Sequence, residues 1–179
     1  MKDTLKSVLN TSIYFLCVLI CVFLIITFVG QRIEVVGESM SPTLSDGDFL
    51  LVDKLSYRFK DPERFDIIVF PYKFENNTNF IKRVVGLPGE SIFIDETGKI
   101  YINGEILNEG YGKDIIENSG RAYEEIILGE DEYFVLGDNR NNSMDSRDPN
   151  IGNIKRQEIV GKALIRVFPF DKMGMIRHR

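Results

Sequence analysis

Ser39 lies in the segment Gly37-Glu38-Ser39-Met40-Ser41-Pro42-Thr43-Leu44, with a glycine before it and a proline after. A hydroxyl held in a rigid turn, close to free backbone N–H groups, is the setting a nucleophile needs. It attacks nothing until a base takes its proton. Candidate bases are few. The one histidine is His178, next to last, and the two cysteines, Cys17 and Cys21, sit inside an apolar run. A Ser-His-Asp triad would have to recruit a tail residue, and thiol catalysis or a cysteine zinc site has no residues in the rest of the chain. Lysine and the carboxylates remain. Alternation along the run Phe80–Val85 puts Phe80, Lys82 and Val84 on one face and Ile81, Arg83 and Val85 on the other. Arginine keeps its proton in proteins, so of the two cations only Lys82 can serve as a base. Neutralising a lysine at pH 7 takes about 3.4 pKa units, or about 4.6 kcal/mol, which only a dry setting supplies. The same alternation also fits an exposed sheet face with the amine in water. A third stretch, Gly137-Asp138-Asn139-Arg140-Asn141-Asn142-Ser143-Met144-Asp145-Ser146-Arg147, follows the apolar run Tyr133–Leu136. Asn and Asp in such a loop commonly cap their own backbone. Here Asp145 could pair with Arg147, and Ser143 could aim a lysine amine.

These groups need elements to hold them. No charge occurs from Ser7 to Gln31, and Ile13–Val29 is nearly all aliphatic, aromatic or Cys. About 20 such residues span a bilayer's hydrocarbon core at about 1.5 Å per residue. A cleaved leader has a shorter apolar part, roughly 7–15 residues, and small residues at its cleavage site. Phe28-Val29-Gly30-Gln31-Arg32 has no such pattern. The reading is an N-tail and single transmembrane anchor over 1–30, with residues 31–179 forming one β-rich domain. Lys2 and Lys6 place the N-terminus in the cytoplasm and the domain on the far side of the cell membrane. Cys17 and Cys21, four apart on one helix, cannot staple the domain. The net charge of −5 gives no support to nucleic-acid binding, which needs a basic patch.

Beyond the anchor the pattern becomes short β-like runs: 33–36, 48–54, 66–70, 80–85, 91–95, 99–102, 105–107, 125–128, 132–136 and 161–168. Asn103-Gly104 between two of them is the signature of a two-residue type I′ hairpin. Strands this short and this closely spaced point to an antiparallel β-sandwich or barrel. No amphipathic helix is expected outside the anchor, and 108–121 reads as a polar surface excursion.

Taken together, these stretches resemble the bacterial type I signal peptidases, most closely their Gram-positive members. The resemblance rests on Gly37–Leu44, Gly47-Asp48-Phe49-Leu50-Leu51-Val52, Phe65-Asp66-Ile67-Ile68-Val69-Phe70, Lys82-Arg83-Val84-Val85-Gly86-Leu87-Pro88-Gly89-Glu90, Gly137–Arg147 and Val160-Gly161-Lys162-Ala163, in family order behind one anchor. It implies a membrane-anchored serine endopeptidase that removes signal peptides from secretory preproteins through an acyl-enzyme, with small residues at the first and third positions before the cut and with no cofactor or metal. By the same resemblance Ser39 is the nucleophile, Lys82 the general base and Ser143 an orienting partner of Lys82. Gly137 leaves room beside the lysine, and Asp145–Arg147 is a structural ion pair. Many Gram-negative members carry a hydroxyl residue as oxyanion donor where this chain has Gly37, so the second donor falls to the Gly37 backbone or to water. Bilayer contact, alongside ordinary packing, is a role open to Met40 and Phe168-Pro169-Phe170. A non-enzymatic membrane-anchored β-domain would share the anchor and sheet, but not these polar stretches in this order.

Overall fold

The computed structural model describes residues 2–28, 30–75 and 78–177. Residues 7–28 of the uncharged run fold, together with the charged tail before them, as one α-helix, α1, Lys2–Phe28. Its stretch Lys6–Phe23 is long and apolar enough to cross a membrane, and Leu9, Phe15, Leu19 and Phe23 are all more than half exposed. A helix this apolar with no protein partner leaves its surface for another apolar phase. The chain passes almost directly from α1 into β1, Gly30–Glu34, three residues earlier than the expected run at 33–36.

Among the described residues after α1, every strand pairs antiparallel with its neighbours. The strands are β2 Phe49–Asp53, β3 Ile67–Pro71, β4 Asn79–Gly86, β5 Ser91–Ile94, β6 Ile100–Ile102, β7 Glu105–Ile106, β8 Ile126–Ile127, β9 Glu132–Leu136, β10 Ile154–Lys155, β11 Gly161–Phe168 and β12 Gly174–Met175. The larger sheet runs β1-β2-β11-β3-β4-β9-β10, with β12 on β11, and the smaller runs β7-β6-β5-β8. Asn103 and Gly104 join β6 to β7 with φ of 51° and 79°, the two left-handed residues a type I′ turn demands. Strands β10 and β12 have two residues each, too short for any alternation to announce them. Only 3-10 turns are assigned as helix outside α1 among the described residues.

The two faces of β3 and β4 feed different cores. Ile67, Val69 and Ile81 pack with Leu50, Val52 and Ala163, while Ile68, Phe70 and Val84 pack with Tyr133, Val135 and Ile154. A third cluster joins the smaller sheet to Val85, Phe134 and Leu136. A strand buried on both faces reads as a continuous apolar run, and a cation in such a strand is dry whichever face it takes. Lys82 and Arg83 are 3% and 0% exposed. Met40 is 1% exposed and belongs to the first core, so packing is its role and bilayer contact is closed to it. Phe168 and Phe170 are exposed.

Candidate active site

The turn carrying Ser39 is pinned from below and from the side. Met40 and Leu44 sink into the core, and Leu44 N–H donates to the Met40 carbonyl over 2.9 Å. Asn139 N–H donates to the Ser39 carbonyl at 3.0 Å, and Asn139 Nδ2 to the Glu38 carbonyl at 3.1 Å. Gly37 adopts φ +86°, a conformation that favours glycine. Its N–H donates to Asp46 Oδ1 at 2.7 Å. Of the two second oxyanion donors expected, the Gly37 backbone or water, the Gly37 N–H is in this geometry committed to a carboxylate. The Ser39 N–H has no hydrogen-bond acceptor among the described residues.

Lys82 reaches this turn from β4. Its Nζ donates to Ser39 Oγ at 2.8 Å and to the Ile81 carbonyl at 3.0 Å, and lies 4.9 Å from the Phe80 ring centroid. Burial lowers its pKa from the ordinary 10.5 to about 8, while the Asp145 and then the Asp138 carboxylates pull it back up. At a pKa near 8, about one amine in ten is neutral at pH 7. The pair is within proton-transfer reach, and the amine is tuned towards the working range of a general base.

The loop 137–147 closes the site from the other side. A Cβ on Gly137 would lie 2.2 Å from Ser143 Oγ and 2.5 Å from the Ser39 carbonyl oxygen. The glycine therefore makes room first for Ser143 and the Ser39 backbone. Ser143 Oγ is buried and has no hydrogen-bond partner. The expected Ser143–Lys82 bond is not made in this geometry, where the amine bonds Ser39 and the Ile81 carbonyl. Arg147 Nε donates to Asp145 Oδ1 at 2.8 Å and Nη2 to Oδ2 at 2.9 Å. Asp145 Oδ2 also accepts from the Gly137 N–H at 3.0 Å, and Arg147 Nη1 donates to the Asn118 carbonyl at 3.0 Å. The ion pair thus fixes both ends of the loop.

Asp138, Thr43, Glu109 and Lys113 are partners that the residues alone did not announce. Asp138 makes a bidentate pair with Arg83, Nε to Oδ1 at 2.8 Å and Nη2 to Oδ2 at 2.7 Å, with both side chains fully buried. Thr43 Oγ1 donates to the same carboxylate at 2.5 Å. This pair ties β4 to the loop, one residue along from Lys82 and one from Gly137. Glu109 Oε1 lies 2.5 Å from Arg140 Nη1, and Arg140 Nε donates to the Gly137 carbonyl at 3.0 Å. Lys113 N–H donates to the Asp138 carbonyl at 2.8 Å. Segment 108–121 is therefore a strap over the loop as well as a surface excursion. A cation adjacent to Lys82 in a doubly buried strand was the available signal for Arg83, since a buried guanidinium demands a carboxylate. Nothing local marked Glu109.

Ser39 and Lys82 open into a groove of about 640 Å³ whose walls include Ile33, Val36, Phe80 and Met144. Among the described residues no cluster of His, Cys, Asp or Glu is arranged to hold a metal ion.

Residues 8–168 match the family described as signal peptidase, peptidase S26. Signal peptidase I P of Bacillus subtilis subsp. natto is 39% identical over 173 residues, covering 91% of this chain and 89% of its own. A probable signal peptidase I-2 of Synechocystis is 39% identical over 155 residues, 84% of this chain and 68% of its own. A crystal structure of a signal peptidase I from Enterococcus faecalis V583 is 36% identical, covers 57% of this chain and 97% of its own, and superposes with a TM-score of 0.44. The match to residues 8–168 spans the Ser39 turn, strands β1 to β11 and the loop 137–147, and the chain belongs to the signal peptidase family, peptidase S26.

Proposed function

We propose that the chain is a membrane-anchored serine endopeptidase that removes signal peptides from secretory preproteins, with Ser39 as nucleophile and Lys82 as general base. The observation that carries this reading is the 2.8 Å contact between Lys82 Nζ and Ser39 Oγ made by an amine that is 3% exposed. Neutral Lys82 takes the Ser39 proton as Oγ bonds to the scissile carbonyl carbon. The carbonyl π electrons move to oxygen, and the uncommitted Ser39 N–H faces the task of holding that charge. Collapse breaks the C–N bond, the lysine proton goes to the leaving amine, and an acyl-enzyme remains. Lys82 then deprotonates water, which releases the acid and returns the proton to Ser39. One oxyanion donor is worth about 10²–10³ in rate, and the Ser39 N–H is the donor this chain supplies. Asp138 and Asp145 hold the loop and limit how far the amine's pKa falls.

Topology belongs to the same proposal. Helix α1 anchors residues 1–30 with its N-terminus in the cytoplasm, and residues 31–179 work on the opposite side. A preprotein's signal helix lies in the same bilayer, so anchoring turns the encounter into a local one and raises effective concentration. The apolar walls beside Ser39 suit small apolar side chains before the cut.

The test is incubation of the full chain in detergent micelles with a secretory preprotein, with the cut mapped by mass spectrometry. Wild type should cut once, after a small residue at the end of the signal peptide. Ser39→Ala and Lys82→Met should each cut at less than a thousandth of that rate. Processing by either variant at a tenth of wild type or more would sink the dyad. A cut elsewhere would sink the substrate assignment.

A further inference from the structure

A second cavity, of about 330 Å³, is lined in part by Arg83, the partner of Asp138. Its lining includes Thr43, Arg83, Tyr111, Arg166, Lys172 and Arg177 and contains no carboxylate residue. Four cations converging on one cavity is unexpected in a chain of net charge −5. Two are balanced from outside it. Asp138 neutralises Arg83, and Asp48 Oδ2 lies 3.0 Å from Arg166 Nε. That Nε nevertheless makes no hydrogen bond and is buried. Lys172 and Arg177 are exposed and have no acidic partner among the described residues. Among the described residues, the cavity thus has two cations without a carboxylate partner.

Its geometry is built. Arg83 Cζ stacks 3.7 Å from the Tyr111 ring centroid, which fixes the guanidinium plane. Arg166 Nη2 donates to the Thr43 carbonyl. Lys172 ends a 3-10 turn, Phe170–Lys172, and Arg177 follows β12, so the two free cations approach from segments on either side of Gly174–Met175. Met175 lines the cavity and is exposed, and Phe170 and Met173, next to Lys172 in the chain, are exposed as well.

We propose that this cavity binds a phosphate-bearing anion, with Lys172 and Arg177 as its direct charge partners and the carboxylate-paired Arg83 and Arg166 as its rigid floor. An exposed guanidinium beside an ammonium is a donor pair that phosphate oxygens take. A pocket of this size accepts a single headgroup, and the exposed Met175 in its lining suits a phosphodiester that carries acyl chains. An anionic lipid headgroup and free phosphate share the chemistry, and the experiment separates them.

The experiment titrates the full chain in zwitterionic micelles, at constant ionic strength, with dihexanoyl phosphatidylglycerol, dihexanoyl phosphatidylcholine or inorganic phosphate, read by calorimetry. Constant ionic strength removes non-specific screening. Wild type should bind the phosphatidylglycerol saturably. Lys172→Gln/Arg177→Gln should weaken binding roughly tenfold or more, as expected for losing two point charges near an anion. Equal affinity for inorganic phosphate would assign the site to a free anion, and binding of the lipid alone would assign it to a headgroup. Both outcomes uphold the anion site. No saturable binding of either anion, equal binding of the phosphatidylcholine, or unchanged affinity in the double variant would overturn it. Both substituted positions are exposed, and a melting curve matching wild type shows that the variant is folded. Cleavage is not the readout, so failure here leaves the Ser39–Lys82 assignment untouched.

Discussion

Replacing Lys82 by methionine should abolish cleavage and make the protein more stable at neutral pH. A fall in pKa from 10.5 to about 8 is worth about 3 kcal/mol at 1.36 kcal/mol per unit. The sign follows from linkage. The folded pKa lies below the unfolded one, so between pH 8 and 10.5 the unfolded chain binds more protons and stability rises with pH. Below pH 8 both states are protonated, and the folded state carries the full cost of a buried ammonium. Methionine removes that cost. It also removes the hydrogen bonds to Ser39 Oγ and the Ile81 carbonyl, each worth about 1 kcal/mol net. The expected gain at pH 7 is therefore about 1 kcal/mol, and by pH 10.5 it should have reversed to a loss of about 2 kcal/mol. Urea unfolding of wild type and variant in micelles, followed by far-UV circular dichroism at pH 7, 9 and 10.5, measures the difference and cancels groups common to both. Cleavage by wild type should lose about tenfold per pH unit below 8. Two results refute the reasoning: a stability difference that does not change with pH, or an acid limb whose apparent pKa departs by more than a unit from the stability titration.

Other perturbations address the framework. Asp138→Asn leaves Arg83 buried beside a neutral amide and should cost about 3–5 kcal/mol; a loss under 1 kcal/mol in urea unfolding would mean that the pair does not brace the site. Gly137→Ala pushes a methyl against the Ser39 carbonyl and Ser143, so cleavage should fall at least tenfold with a stability cost of about 1–3 kcal/mol, and wild-type turnover would show that the close approach is unimportant. Ser143→Ala deletes a buried hydroxyl without a partner and should leave stability unchanged or raise it by up to about 1 kcal/mol. A loss above 1 kcal/mol would reveal a partner for that hydroxyl. A decline in cleavage without one would place its hydrogen bond to Lys82 later in the reaction cycle.

Much of this chain was legible before any coordinates. Most of the uncharged run became α1, and all ten β-like runs became strands, two with unchanged ends and the others with ends moved by up to three residues. Asn103-Gly104 closed its hairpin because two left-handed residues admit little else. These features are local, and composition and period 2 carry them. The elimination of histidine and cysteine, which left Lys82 as a candidate base for Ser39, is also a property of the sequence. Whether Lys82 was dry was not legible. Alternation assigns a face and says nothing about what covers it, and both faces of β4 are covered by residues far away in the chain. The same holds for Asp138 against Arg83, 55 residues apart, for Glu109 against Arg140, and for the diversion of the Gly37 N–H to Asp46. Residue types and their order along the chain limit which groups could do the chemistry. Which of them are buried, paired or free depends on the fold, because desolvation and hydrogen-bond partners are set by segments that meet in space.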